Sequence, residues 1–164
     1  MARVASAADG PEVVRLAEAM FRPLGGGGLD EAHWARWREA SLAVTARLPS
    51  DGLGVFVVDH PERPGALAAC GAGVVVPRLP NPWHPNGLAG YVQWMSTEPD
   101  WRRRGFGRAV LRAVLRFFEE RGVDNVELHA TASGAPLYRS EGFWEGSSGL
   151  AMRRRPWDPP PERR

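Results

Sequence analysis

The chain contains no lysine; all 21 of its Lys and Arg residues are arginine. Schiff-base chemistry on a lysine amine is therefore excluded, and so is a P-loop, which requires Gly-Lys-Ser/Thr. Cysteine is nearly absent as well. Its one thiol, Cys70, cannot form an internal disulfide or a cysteine-built zinc cage, and no metal is expected. No apolar run approaches the ~20 residues that span a bilayer. The opening Met1-Ala2-Arg3-Val4-Ala5-Ser6 lacks the apolar stretch of a signal peptide. A cytoplasmic protein with no membrane partner is the expectation. Charge of one sign is also scarce. The formal net charge is +2, so the surface as a whole is not a nucleic-acid footprint, and any anion must be held by local arginine clusters.

What is present fits one folded domain. The 164 residues are 43% hydrophobic and 24% charged, ordinary globular proportions. We expect a single domain over residues 1–155 and a Pro/Arg-rich tail over 156–164, which cannot lie inside a helix or sheet. Residues 2–8 alternate weakly, as a first strand would. Asp9-Gly10-Pro11-Glu12 reads as a helix start, followed by Val13, Leu16, Ala17 and Met20 at helical spacing. Pro23 and the run 25–28 of four glycines stop that helix and form a flexible joint. Asp30 caps a second helix whose expected stripe is Trp34, Trp37, Ala40, Ser41, Val44 and Leu48.

Strand-like runs follow at 54–58 and 66–76, separated by a Pro/Gly turn at 61–65. The second is apolar nearly throughout and is expected to be buried on both faces. Residues 77–85 carry four prolines with Asn81, Trp83 and His84, and form a long loop. A strand over 91–97 and a break at Pro99-Asp100 lead into an amphipathic helix over 105–121. Phe106, Val110, Val114 and Phe117 make its apolar row, and Arg108, Arg112 and Arg116 make a solvated row in which Arg116 pairs with Glu120. A strand at 126–130, a short helix around Leu137-Tyr138 and a closing hairpin from Phe143-Trp144 to Leu150–Met152 complete the order. The expected fold class is α/β, a mixed, mostly antiparallel central sheet with helices on both faces.

One unit carries chemistry: a strand, then Glu98 to Arg104, then Gly105-Phe106-Gly107 opening a long helix. A helix N-terminus offers unpaired backbone N–H groups and a positive dipole end. Glycines at 105 and 107 let that backbone approach a phosphate, and Arg102, Arg103, Arg104 and Arg108 add charged donors. A dinucleotide fingerprint would need a third glycine where Val110 stands. A nucleic-acid reading has the arginines, including the run 153–155, but no helix-turn-helix or aromatic sheet. Coenzyme A remains, because its pyrophosphate and extended arm suit a loop beside a strand.

The segment Met95-Ser96-Thr97-Glu98-Pro99-Asp100-Trp101-Arg102-Arg103-Arg104-Gly105-Phe106-Gly107 resembles motif A of the GCN5-related N-acetyltransferase (GNAT) superfamily, with Arg102, Gly105 and Gly107 at the defining positions of Arg/Gln-x-x-Gly-x-Gly/Ala. Leu137-Tyr138-Arg139-Ser140-Glu141-Gly142-Phe143 resembles the family's late motif. The resemblance implies the acyl-CoA N-acyltransferase fold and transfer of acetyl from acetyl-CoA to a primary amine by direct attack within a ternary complex. It implies that the backbone around Met95, Ser96 and Thr97 pairs with the pantetheine arm, beside a β-bulge that splays the strand. It further implies that residues 103–108, Phe106 included, hold the pyrophosphate. Tyr138 would be the general acid for the departing thiolate. The implied partner is a small-molecule or peptide amine, and the family admits homodimers.

Many members of that family use a carboxylate on the strand before the loop. Here that stretch reads Tyr91-Val92-Gln93-Trp94-Met95, with no acid. Glu98, His84 and His129 are the remaining base candidates, and His129, in a strand near the slot, ranks first. Water, or an amine that arrives neutral, is the alternative. Trp83 and Trp94 are candidates to line an acceptor pocket, whereas Trp34 and Trp37 share a helix face suited to packing. Cys70 reads as a small buried hydrophobe. The missing carboxylate also motivates a second function, a non-catalytic acyl-CoA sensor of the same fold.

Overall fold

A β-branched segment with no charge until its last residue, Leu53–Asp59 (β2), forms the first long strand of the computed structural model, which describes residues 1–24 and 28–146. It pairs antiparallel with Leu67–Pro77 (β3), whose small residues Ala68, Ala69, Cys70 and Ala72 are buried as its lack of polar positions predicts. β3 pairs antiparallel with Leu88–Thr97 (β4). Arg3–Val4 (β1) lies on the outer edge of β2, and Val126–Glu127 (β5) runs parallel to β4. The five-stranded order is β1-β2-β3-β4-β5. The sheet is mixed and mostly antiparallel, with helices on both faces, as expected.

On one face lies Phe106–Glu119 (α3), the helix with the strongest apolar periodicity. It buries Val110, Leu111, Val114, Phe117 and Phe118 against Phe56, Val58, Ala69 and Val92. Glycines in the sheet set how close it comes. A methyl group at Gly73 or Gly90 would lie 2.7 or 2.9 Å from the Phe118 ring. Phe118 thus fills a groove that only glycine leaves open. Phe118→Ala should cost about 3–5 kcal/mol, because the floor beneath the ring has no side chains that can move into the void. A urea midpoint within 0.5 kcal/mol-equivalent of wild type, about the tolerance of a surface change, would contradict that packing.

Gly10–Phe21 (α1) and Glu31–Thr45 (α2) occupy the opposite face. α1 buries Val13, Leu16 and Ala17 at the expected spacing, and Val14 as well. α2 begins where its cap predicts, with the His33 N–H donating to Asp30 Oδ1 at 2.7 Å. Its buried stripe differs from the expected one. Trp34, Ser41, Thr45 and the following Leu48 face inward, while Ala40 and Val44 are exposed. The reason is a close contact with α1. A methyl at Gly10 would lie 2.7 Å from Thr45 Oγ1, and that hydroxyl satisfies itself on the Ser41 and Leu42 carbonyls. A polar residue can therefore serve the face that Val44 was expected to serve.

Three further boundaries shift. The first strand is two residues long, because Asp9 accepts the Ser6 N–H at 2.8 Å and turns the chain into the 3-10 segment Ala7–Asp9. Arg3 bridges Asp9 and Asp59, both at 2.7 Å, and its guanidinium holds Asp9 well below the usual carboxylate range. β5 is two residues rather than five, and residues 143–146 form no strand. Arg116 does not pair with Glu120; among the described residues Glu120 lies 4.0 Å from Arg121 instead. Residues 25–27 of the expected glycine joint, the hairpin's second arm at Leu150–Met152, the arginine run 153–155 and the tail lie outside the described residues. No described helix is long and apolar enough to cross a membrane.

Candidate active site

Between β4 and α3 the chain makes a 3-10 turn at Pro99–Trp101 and then a short arginine loop. Trp101 anchors it. The indole stacks on Phe106 at 5.9 Å and 15°, meets His60 edge-on at 5.0 Å, and carries the Arg104 guanidinium 4.3 Å above its ring. Arg102 Nε donates to the Thr97 carbonyl at 3.2 Å, tying the loop to the end of β4. Arg103 (φ 64°) and Gly105 (φ 84°) both occupy the left-handed region, where a side chain is costly. Left-handed Gly105 followed by helical Phe106 is a backbone sequence that aims successive N–H groups into one concavity, a nest of the kind that accepts anions. The first α3 bond runs from the Ala109 N–H to the Gly105 carbonyl at 2.9 Å, so the N–H groups of 106–108 have no partner within the helix. A methyl at Gly105 would meet nothing within 4 Å, so the nest opens outward.

The C-terminal half of β4 adjoins this nest. Cys70 pairs with Ser96 and Ala72 with Gln93, so Trp94 and Met95 together stand opposite Gly71 alone. That is a β-bulge, and Trp94 (φ 57°) takes the left-handed conformation within it. The bulge sends Trp94 toward the α1 face and Met95 toward the α3 face. Ser96 Oγ donates to the Leu16 carbonyl at 2.8 Å. On the other edge of β4, pairing with β5 is confined to Gly90↔Val126 and Tyr91↔Glu127. Beyond Tyr91 the two strands diverge, and the outer edge of β4 over 92–97 has no strand partner among the described residues.

Ala135–Ser140 (α4) closes one side. A methyl at Gly107 would lie 3.4 Å from Thr97 Oγ1 and 3.6 Å from Leu137 Cδ2, so the first turn of α3 packs against both β4 and α4. Glu141 locks the two helices together, 2.8 Å from Arg112 and 3.1 Å from Arg108, and Arg108 also donates to Ser140 Oγ. Arg112 first, then Arg108, hold that carboxylate below its usual range. Tyr138 lies on the helix so fixed and packs against the α3 cluster. Its ring meets Phe143 edge-on at 5.9 Å, and Gly142 (φ 92°) turns the chain back to make that contact. Burial pushes the Tyr138 hydroxyl above the ordinary tyrosine value.

The remaining candidates fall in different places. Burial would raise Glu98, but Arg63 at 2.8 Å and Arg15 at 2.7 Å hold it below the usual range and leave it ionised and committed. His129 sits where β4 and β5 part, its Nδ1 2.6 Å from the Tyr91 hydroxyl. His84 lies 3.3 Å from Asp124, and Trp83 is 81% exposed. Both belong to the β3–β4 loop, separated from the arginine loop by the whole length of β4. Trp94 joins Phe21, Trp34 and Trp37 in an aromatic group between β4 and the two N-terminal helices. Cys70 is buried under the bulge with its thiol toward the Trp94 carbonyl at 3.5 Å, and burial pushes it up to about 12, which removes it as a nucleophile. The Tyr91–His129 contact left no local sequence signal; strand alternation on two non-adjacent segments is its only trace.

Comparison with known proteins agrees with this geometry. Residues 50–145 match the acetyltransferase (GNAT) domain family. A GCN5-related N-acetyltransferase from Ralstonia eutropha superposes with a TM-score of 0.73 at 29% identity, covering 94% of this chain and 97% of that one. A predicted acetyltransferase with acetyl-CoA from Clostridium acetobutylicum gives 0.70 at 22%, covering 93% and 95%. A glucosamine-6-phosphate N-acetyltransferase from Arabidopsis thaliana gives 0.64 at 16%, covering 93% and 97%. No curated protein matches. With its arginine nest beside a splayed and bulged strand, and with the family model spanning more than half its length, the chain belongs to the GNAT acetyltransferases.

Proposed function

We propose that this protein transfers an acetyl group from acetyl-CoA to a primary amine, by direct attack within a ternary complex. The observation that carries the reading is the continuity of the nest at the start of α3 with the unpaired edge of β4. Together they match a ligand with a pyrophosphate at one end and an extended amide-bearing arm at the other. Backbone N–H groups of 103–108 hold the pyrophosphate, with Gly105 and Gly107 giving the close approach and Phe106 held in place by Trp101. Arg103 and Arg104 supply the charge most directly. Arg102 and Arg108 contribute while also bracing the loop on Thr97 and on α4. Met95, Ser96 and Thr97 offer backbone groups to the arm as a neighbouring strand would.

Bound acetyl-CoA supplies an activated thioester and a thiolate leaving group. Tyr138 donates its hydroxyl proton at that thiolate, and its burial keeps the proton in place until it is needed. A backbone N–H at the bulge polarises the reacting carbonyl. His129 takes up the proton that the amine loses. We assign Glu98 to bracing α1 and the β2–β3 turn rather than to base catalysis. Trp94, with Trp37 and Phe21, lines the acceptor side; Trp83, at the far end of β4, does not. The acceptor is a small-molecule or peptide amine.

Calorimetric titration tests the reading. Saturable binding of acetyl-CoA, with none of NAD or duplex DNA, is the expected result. Binding of DNA that weakens steeply with salt, and none of acetyl-CoA, would assign the arginine loop to nucleic acid instead.

A further inference from the structure

The transfer reading names His129 as the proton's destination but gives no route to it: an amine that is an ammonium in water must lose a proton before it can attack. β4 carries no carboxylate along Leu88–Thr97. At the inner end of the slot the structure holds a different pair. Tyr91 is the last β4 residue paired with β5, opposite Glu127. His129 lies two residues past the end of β5, with Nδ1 2.6 Å from the Tyr91 hydroxyl and ring centroids 5.9 Å apart.

Strand alternation gives both side chains one face. A methyl at Gly90 would meet Phe118 of α3, and Val92 is buried in the same cluster, so Tyr91 between them points the other way. Val126 and Leu128 both pack into the α3 cluster, so the alternation of β5 continues past its last paired residue and His129 also points away from α3. The face they share carries α1, α2 and the Trp94 ring. Direction along the slot follows from the nest. With phosphate groups anchored at 103–108, an arm laid back along Thr97, Ser96 and Met95 has its acyl end toward the fork, where the pair sits.

We infer that Tyr91 and His129 form a proton relay that deprotonates the acceptor ammonium at the fork, an inference that rests on the acetyl-transfer reading above. One N–H bond of the ammonium breaks as its proton moves to Tyr91 Oη. The Tyr91 hydroxyl proton moves to His129 Nδ1. The amine is left neutral with a lone pair for attack, and the His129 imidazolium, on the exposed side, returns its proton to water. Tyr91 is the catalytic residue, since it touches the reacting nitrogen. His129 acts through it as proton acceptor and positioning residue. The step needs His129 neutral with its proton on Nε2, the tautomer in which Nδ1 accepts from Tyr91.

The test measures coenzyme A release from acetyl-CoA by wild type, Tyr91→Phe, His129→Gln and the double variant. The probes are benzylamine, spermidine and an alanine-initiated peptide, with hydroxylamine as a nucleophile already neutral at the assay pH. With the ammonium probe that wild type turns over fastest, each single variant should lose about 100-fold in kcat/KM. The double variant should lose no more, because the two residues act as a unit. With hydroxylamine the variants should stay within about threefold of wild type, and calorimetric affinity for acetyl-CoA should not change. A merely structural clasp would slow hydroxylamine equally. That result, multiplying losses in the double variant, undiminished activity with the amines, or wild-type turnover of hydroxylamine alone overturns the relay and leaves acetyl transfer standing. Wild type that binds acetyl-CoA and turns over none of the four probes overturns both.

Discussion

Gly105→Glu should abolish acetyl-CoA binding, weakening it at least ~100-fold in a calorimetric titration, or about 2.7 kcal/mol. Two effects add. Gly105 sits at φ 84°, where a residue with a Cβ pays roughly 1–2 kcal/mol. A glutamate relieves that cost by leaving the left-handed region, which turns the nest's N–H groups away from their common focus. The carboxylate also arrives where a pyrophosphate must sit, and like charges in a partly desolvated cleft repel. Gly105→Ala separates the terms, since it keeps the conformational cost without the charge, and should lose roughly tenfold. No neighbour lies within 4 Å of the new Cβ, so a packing clash contributes nothing and the fold should survive. Unchanged affinity in the glutamate variant would place the cofactor elsewhere on the molecule.

Tyr138→Phe should lower kcat about 100-fold while acetyl-CoA affinity stays within about threefold of wild type. Positioned proton transfer is worth about 10²–10⁴ in rate, and the hydroxyl is the only atom removed. The ring's contacts with Phe143 and Gly134 are retained, so α4 should stay in place. Burial raises the hydroxyl above its ordinary value of 10.0. The proton therefore stays on Tyr138 past the pH at which a free tyrosine ionises, and its loss should not limit the rate below that pH. An acyl-CoA sensor of this fold would show no change in either quantity, so the variant decides between that function and catalysis.

Much of the fold was legible because its signals are local. The period of Val110, Val114 and Phe117, the cap at Asp30 and the Pro11-Glu12 helix start each act within a turn or two of backbone. The arginine loop was legible for the same reason. Glycine at 105 and a helix opening at 106 are neighbours in sequence, and their effect on N–H direction needs no distant partner. Tyr138 stood out through its spacing to Gly142, whose φ of 92° turns Phe143 back onto the ring. α2 misled because an apolar stripe does not reveal whether a partner helix brings a glycine to it. Gly10 did, and the satisfied hydroxyl of Thr45 took the place expected of Val44.

The sequence by itself therefore determined the sheet-and-helix order, the family motif and the local geometry of the arginine loop. Tertiary structure decided the rest: the bulge at Trp94, the two-residue length of β5, the capture of Glu98 by Arg15 and Arg63, and the meeting of Tyr91 with His129. Strand alternation assigns a residue to a face but not to a register. Register is set by competition between two surfaces for one strand, here the α3 cluster that takes Met95 and the α1 face that takes Trp94. One inserted residue lets both be satisfied.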